Sequence, residues 1–276
     1  VQAGGRERLR AGGVHVDVGL CEQAARAQNV GFVSRMTRGR PWLRTKLAAS
    51  LDARTALVNG ESRWITGSDA RADGHRWRAR ACAILTGIGT VRSDDPELTV
   101  RAVATPRQPL RVIVDRHAET PSDARVLADG AALVVTTGAR NPRWPEHVEV
   151  LVLPDPDGRV DLHAMMRALA RRGCNEVHVE AGARLNAALL GAGLIDELLL
   201  YLAPSLIGDP ARGLFERATP LASLAERVSL EWTSTERIGG DLRIVARVVP
   251  THAGGIASDR RRFESSARAV DAPNSG

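Results

Sequence analysis

Short aliphatic runs, each of strand length, recur through most of the chain and alternate with polar clusters or longer amphipathic stretches. Read by period, strands are predicted at 42–49, 82–86, 110–115, 132–137, 148–153, 176–180, 196–203, 228–234 and 242–249. Helices are predicted at 68–80, 161–172 and 184–193, the second with Leu162, Met165, Met166 and Leu169 at the spacing of a core stripe. Aliphatic strands separated by helices imply a largely parallel sheet covered on both faces. The last two strands, joined through Gly239 to Asp241, read as an antiparallel hairpin closing that sheet. Ahead of this core, Val14 to Gly19 alternates like a short strand. Glu22 to Arg38 reads as a helix with Ala24, Ala25, Ala27 and Phe32 inward. Gly39 and Pro41 end that opening segment. After Val249 periodicity stops, so a disordered polar tail is expected over 250–276.

The 276 residues fit one large domain with appendages, and the core must be aliphatic because aromatics make up only 3% of the chain. No apolar run is long enough to span a bilayer, and VQAGGRERLR lacks the apolar stretch of a secretory signal. Cys21, Cys82 and Cys174 are too few and too scattered for a disulfide framework, so all three read as buried thiols in a reducing compartment. No zinc-ligand spacing occurs. The net charge of +6 is spread among acidic residues rather than concentrated, and no nucleic-acid recognition signature accompanies it. The expected partner is a small molecule carrying phosphate.

Three places concentrate chemistry. Lys46 is the only lysine in the chain, at the end of an apolar strand, where a compact titratable ammonium differs in use from a guanidinium. On the 68–80 helix, which Thr66 or Ser68 can cap, Arg71, His75 and Arg78 share one face. That face suits an anion, although from spacing alone a solvated surface is the better explanation. The strand Val177 to Glu180 runs through Gly182 into a helix near Arg184, placing a carboxylate at a strand end and free N–H groups beside it. The glycines of Gly87 to Thr90 follow a strand, but Arg92 stands where a dinucleotide fingerprint needs its third glycine. Asp94 and Asp95 before Pro96 read as a turn. Neither a nucleophile elbow nor a P-loop is present, which favours catalysis by a cofactor.

Taken in order, K-L-x-x-S-L-D-x-x-T-A from Lys46, G-E-S-x-W-I-T from Gly60, I-L-T-G-x-x-T-V-x-x-D-D-P-x-L-T-V-R from Ile84 and V-E-A-G from Val179 resemble the reductase domain of the bacterial bifunctional riboflavin-biosynthesis deaminase/reductase. The resemblance covers about residues 40 to 249 and implies an α/β, dihydrofolate-reductase-like three-layer fold: a mostly parallel mixed sheet with a C-terminal antiparallel hairpin. It implies that NADPH reduces the ribosyl group of 5-amino-6-(5-phosphoribosylamino)uracil, in a cytoplasmic homodimer. Residues 1–39 then resemble the end of a deaminase domain, 40–249 the reductase domain, and 250–276 a basic, polar tail. The deaminase's zinc signature is missing from the sequence, and His163-Ala164-Met165 lacks its glutamate.

Carried over by position, the substrate contacts fall on Ser62, Arg78, Leu98, Arg101 and Glu180. The cofactor contacts fall on Ala48, Trp64, Thr90, Asp94, Gly182, Ala183, Arg184, Leu185 and Asn186. Arg78 and Arg101 suit a ribose phosphate, Glu180 suits the aminouracil N–H groups, and Lys46 is the expected catalytic residue. Ala53 departs from the family's usual glycine in the turn after Leu51 and Asp52. A same-fold reductase of another pterin- or pyrimidine-like substrate, or a non-catalytic partner of a separate deaminase, are the alternatives.

Overall fold

The computed structural model describes residues 4–249. Its elements in chain order begin with helices α1 (Gly5–Ala11), α2 (Glu22–Gln28) and α3 (Val30–Arg38). Strands β1 (Trp42–Ser50) and β2 (Arg54–Leu57), helix α4 (Ser68–Arg80), strand β3 (Ala83–Gly87) and helix α5 (Ile88–Asp94) follow. Next come β4 (Leu110–Val114), β5 (Ala132–Thr136), β6 (Glu149–Val152), α6 (Leu162–Arg171), β7 (Glu176–Val179) and α7 (Ala183–Gly191). The chain closes with β8 (Glu197–Ala203), β9 (Ala211–Gly213), β10 (Leu230–Ile238) and β11 (Asp241–Val248).

Nine strands form one sheet in the order β10-β11-β8-β1-β7-β3-β4-β5-β6. β8 through β6 run parallel, and only the β10–β11 hairpin is antiparallel to its neighbours. One face packs on α6 and α7, with Leu43, Leu85, Val112, Leu133 and Val177 against Met165, Met166, Leu169 and Leu189. The opposite face carries a second cluster around Ile84, Ile113, Val134 and Trp144, and a third where Tyr201, Leu199 and Val245 meet Ala70 of α4. The layers are helix, sheet and helix, as the alternation of strands and helices predicts. Because β1, β3 and β7 are adjacent and parallel, their carboxyl ends open on one side, where sheets of this kind take ligands.

Several local expectations change. Val14 to Gly19 forms no strand: among the described residues no strand pairs with it, and the Val14 N–H and the Val16 carbonyl bond back to Leu9 and Arg10 instead. The single helix expected over 22–38 breaks at Asn29 into α2 and α3. Its inward residues are Gly31 and Ser34, while Ala24, Ala25, Ala27 and Phe32 are exposed. Gly31 faces inward because a Cβ there would sit 2.7 Å from the Asn175 carbonyl oxygen. Arg38, the last residue of α3, and Arg40 just beyond it both bind Asp196, each with a contact at 2.7 Å, fastening this helix to the chain ahead of β8. α4 is capped neither by Thr66 nor by Ser68: the Gly67 N–H donates to Asp241 Oδ2 at 2.7 Å, a cap supplied by the distant hairpin. Of the three thiols only Cys174 is buried; Cys82 is half-buried and Cys21 exposed. Burial pushes the Cys174 thiol up to about 11. Two short strands, β2 and β9, pair with each other outside the main sheet and form a flap beside the strand ends. The expected disordered tail over 250–276 lies outside the described residues.

Candidate active site

The carboxyl ends of β1, β3 and β7 form the floor of a cleft of about 1100 Å³. The catalytic, substrate and cofactor residues expected from the sequence all line it: Lys46, Ala48, Ser62, Trp64, Arg78, Thr90, Asp94, Leu98, Arg101, Glu180 and the turn Gly182, Ala183, Arg184, Leu185 and Asn186. Their convergence follows from register. Thr45 pairs with Val179, so Lys46 and Glu180 are the next residues along adjacent parallel strands and project from the same face.

Glu180 is the hub of this floor. Arg78 reaches it from α4 with Nε to Oε1 at 2.5 Å and Nη2 to Oε2 at 2.8 Å, and sends Nη1 to the Thr99 carbonyl at 2.9 Å. Burial alone would raise the Glu180 carboxyl, yet the Arg78 guanidinium holds it well below the usual carboxylate range. This pairing joins two residues to which sequence reading assigned separate tasks. Arg78 spends much of its fork on Glu180 rather than on a phosphate, and both carboxylate oxygens already have a cationic partner.

Lys46 is half-buried, with Nζ 5.8 Å from the centre of the Tyr201 ring. Burial lowers its pKa from 10.5, Arg78 pushes the same way, and Glu180 opposes them. Tyr201 is wholly buried and donates to Asp73 Oδ2 at 2.7 Å, where Arg243 Nη1 also binds at 2.8 Å. Behind Glu180 lies His178, fully buried, its Nε2 3.4 Å from Glu180 Oε1. Burial holds this imidazole below its ordinary pKa, with Arg44 and Arg78 adding to the effect against Glu180. Sequence reading assigned no role to His178, Tyr201 or Asp73. The two-residue period from His178 to Glu180 places both on one face and was the available signal; the Tyr201–Asp73 contact spans 128 positions and left none.

The cationic face of α4 is real but divided. Arg71 stacks on Trp64, its guanidinium carbon 4.3 Å from the ring centre, and donates to the Thr66 carbonyl at 2.7 Å. His75 accepts from the Arg101 N–H through Nδ1 at 3.3 Å, and burial, with Arg78 and Arg101, keeps it below its usual pKa. Asp94, read as part of a turn, ends α5, and its carbonyl accepts from Arg63 at 2.7 Å.

The other wall of the cleft fits a dinucleotide. α7 begins after Gly182 with no side chain among the described residues capping its first N–H groups, which leaves them for an anion such as a pyrophosphate. Asn186, 1% exposed, donates to the Ala181 carbonyl at 3.0 Å, while its Oδ1 has no partner among the described residues. A buried acceptor left open beside uncapped N–H groups is what a bound amide- and phosphate-bearing cofactor would satisfy. At Gly87 a Cβ would come within 3.2 Å of Leu185 Cδ2, so glycine keeps this wall open.

Comparison with known proteins agrees with this geometry. The family model for the RibD C-terminal domain matches residues 41–244. The riboflavin biosynthesis protein RibD of Escherichia coli is 39% identical over 251 residues, covering 86% of this chain and 68% of that protein. That of Mycobacterium tuberculosis is 36% identical over 253 residues, covering 90% of this chain and 67% of that protein. Among solved structures, Acinetobacter baumannii RibD superposes with a TM-score of 0.81 at 36% identity, over 90% of this chain and 69% of that one. The Thermotoga maritima diaminohydroxyphosphoribosylaminopyrimidine deaminase/5-amino-6-(5-phosphoribosylamino)uracil reductase gives 0.77 at 26% identity, over 90% and 68%. With its family motifs gathered at the carboxyl ends of β1, β3 and β7, the chain belongs to the RibD C-terminal domain family, the oxidoreductase domain of riboflavin biosynthesis.

Proposed function

We propose that this domain reduces the ribosyl group of 5-amino-6-(5-phosphoribosylamino)uracil to a ribityl chain, with NADPH as the reductant. The observation that carries the reading is the lone lysine, Lys46, set beside Glu180 on the floor of a cleft whose far wall suits a dinucleotide. The bound cofactor supplies the hydride; the protein must supply position and a proton. Lys46 Nζ is the proton source for the sugar oxygen released when C1′ is reduced. Glu180 favours the charged form of Lys46 and fixes Arg78 over the floor. Ser62, Leu98 and Arg101 bound the substrate end. Ala48, Trp64, Thr90, Asp94 and the Gly182–Asn186 turn bound the cofactor end.

The reading extends to organisation. Residues 40–249 form the reductase domain, and 1–39 carry the end of a deaminase domain, of which α3 docks on the reductase through Asp196. Leu230 and the largely exposed Trp232 on the outer strand β10 favour pairing with a second copy, giving a homodimer. The cytoplasmic location we assign rests on the biosynthetic family to which the chain belongs.

The test is NADPH oxidation by purified protein given the deaminated, phosphoribosyl-bearing aminouracil. Loss of cofactor absorbance with formation of the ribityl product is expected, faster with NADPH than with NADH. Cofactor binding without oxidation would overturn the substrate, and failure to bind either cofactor would overturn the reading entirely.

A further inference from the structure

Glu97 stands at the open x position of the D-D-P-x-L-T-V-R motif, and nothing above gives it a task. Its carboxylate meets two guanidiniums at once. Arg101 Nη1 lies on Oε2, and Arg125 Nη2 lies on Oε1. Thr99 adds its hydroxyl to Oε2 at 3.2 Å. The two arginines come from different segments, and each is fixed through its own backbone. The Arg101 N–H donates to His75 at 3.3 Å, and the Arg125 N–H donates to Asp95 Oδ1 at 2.9 Å. Glu97, Arg101 and Arg125 all line the cleft, with the arginine side chains more than half exposed to it and Glu97 28% exposed.

Two guanidiniums, each through one nitrogen, and a hydroxyl converge on two oxygens, a donor set of the kind that recognises a phosphate monoester. Here the position is held by an internal carboxylate, which offers one negative charge where phosphate brings up to two. We propose that Arg101 and Arg125 together form the phosphate seat of the cleft, and that Glu97 occupies it as a tethered anion until the substrate's phosphate displaces it. This rests on the phosphoribosyl reading above and deepens it. Arg125 becomes a specificity residue for the phosphorylated substrate. Glu97 becomes a selectivity filter: a small monovalent anion gains nothing by replacing one carboxylate with another charge of the same size, whereas a dianionic phosphate gains a second unit of attraction.

Calorimetric titration of the whole chain with inorganic phosphate and with ribose 5-phosphate, without cofactor, reads the seat directly. Glu97→Gln is expected to bind inorganic phosphate about tenfold more tightly than wild type, and Arg125→Gln about tenfold more weakly. In turnover, Arg125→Gln should raise KM for the phosphorylated substrate about tenfold with kcat and the cofactor KM unchanged, and should leave KM for the dephosphorylated substrate where it was. Arg125→Lys, which keeps the charge but not the fork, should fall between. Phosphate affinity unchanged by Glu97→Gln, or equal losses on both substrates in Arg125→Gln, would overturn the proposal. Melting curves on each variant separate misfolding from lost binding, and Glu97→Gln must gain affinity, which an unfolded protein cannot do. A wild-type protein that binds phosphate as described but never oxidises NADPH would leave the seat standing and defeat the proposed reaction instead.

Discussion

Arg78 and Glu180 close on each other through two parallel hydrogen bonds, of 2.5 and 2.8 Å, from the last turn of α4 to the residue that follows β7. The pair ties a helix to the sheet across the floor of the cleft, with side chains only 16% and 18% exposed. Removing one partner leaves the other charge buried and uncompensated, so Glu180→Gln should cost about 3 kcal/mol at neutral pH. The Glu180 pKa is depressed in the folded state. Its contribution is therefore fully present above the unfolded carboxyl value of about 4.3 and is lost as pH falls through the folded value. Urea unfolding at pH 7 and at successively lower pH should show the gap between wild type and Glu180→Gln narrowing with acid. A gap that stays constant would refute the assignment.

Lys46 has the opposite linkage. Burial, with Arg78, lowers its pKa from 10.5 against the pull of Glu180, so the folded state holds that proton less firmly than the unfolded chain does. Its effect on stability is unfavourable at low pH and is relieved as pH rises through the folded value towards 10.5. If Lys46 gives the proton, kcat must fall on the alkaline side with a midpoint below 10.5, and Glu180→Gln must move that midpoint lower still. Lys46→Arg keeps the charge but will not release a proton near neutrality, so turnover should drop by about a hundredfold or more. Cofactor affinity should hold. Near-normal kcat in Lys46→Arg, in folded protein, would end the catalytic assignment.

Ala53 adopts φ 62° in the turn after β1, the left-handed region where a Cβ is unfavourable. The turn keeps this shape because its neighbours enforce it. Asp52 accepts from Ser50 Oγ at 2.5 Å and from the Gly208 N–H at 2.7 Å, contacts that carry its carboxyl down to about 2. Ala53→Gly relieves the strain and should stabilise the protein by about 1 kcal/mol, a rise in melting temperature of about 2–4 °C. An unchanged or lower melting temperature in calorimetry would show that the turn pays nothing for its alanine.

Much of this site was legible because its parts are local. The Lys46 strand, the Gly182 turn and the helix over Ser68–Arg80 each announce themselves within a dozen or so residues, by period or by turn chemistry. What escaped the sequence is pairing between distant segments. Arg78 and Glu180 are 102 positions apart, and reading each by type gave no sign that they pair with each other. Glu97 drew no reading from the sequence, because Arg125, which closes over it, lies 28 positions on. Val14 to Gly19 shows the converse: a strand pattern is a local property, but a strand needs a neighbour, and among the described residues that segment has none.

Tyr201 supplies the last expected outcome. Its ring lies under the Lys46 ammonium at 5.8 Å, within the range at which an aromatic face attracts a cation, while its hydroxyl is committed to Asp73. The phenol is a donor locked in place, with its pKa raised by burial and by Asp73, so it holds Lys46 through the ring and takes no part in proton transfer. The ring and the hydroxyl can be removed separately. Tyr201→Phe keeps the face below Lys46 and leaves Asp73 with Arg243 and Arg76, so it should lose stability by about 1–2 kcal/mol yet keep kcat and its alkaline midpoint. Tyr201→Leu removes the aromatic face, so the ammonium loses a stabilising neighbour. Its alkaline midpoint should fall and kcat near neutrality should decline by several-fold to about tenfold, with the cofactor KM little changed. Should Tyr201→Leu and Tyr201→Phe show the same pH profile, the ring is only packing and Lys46 is placed by Glu180 alone.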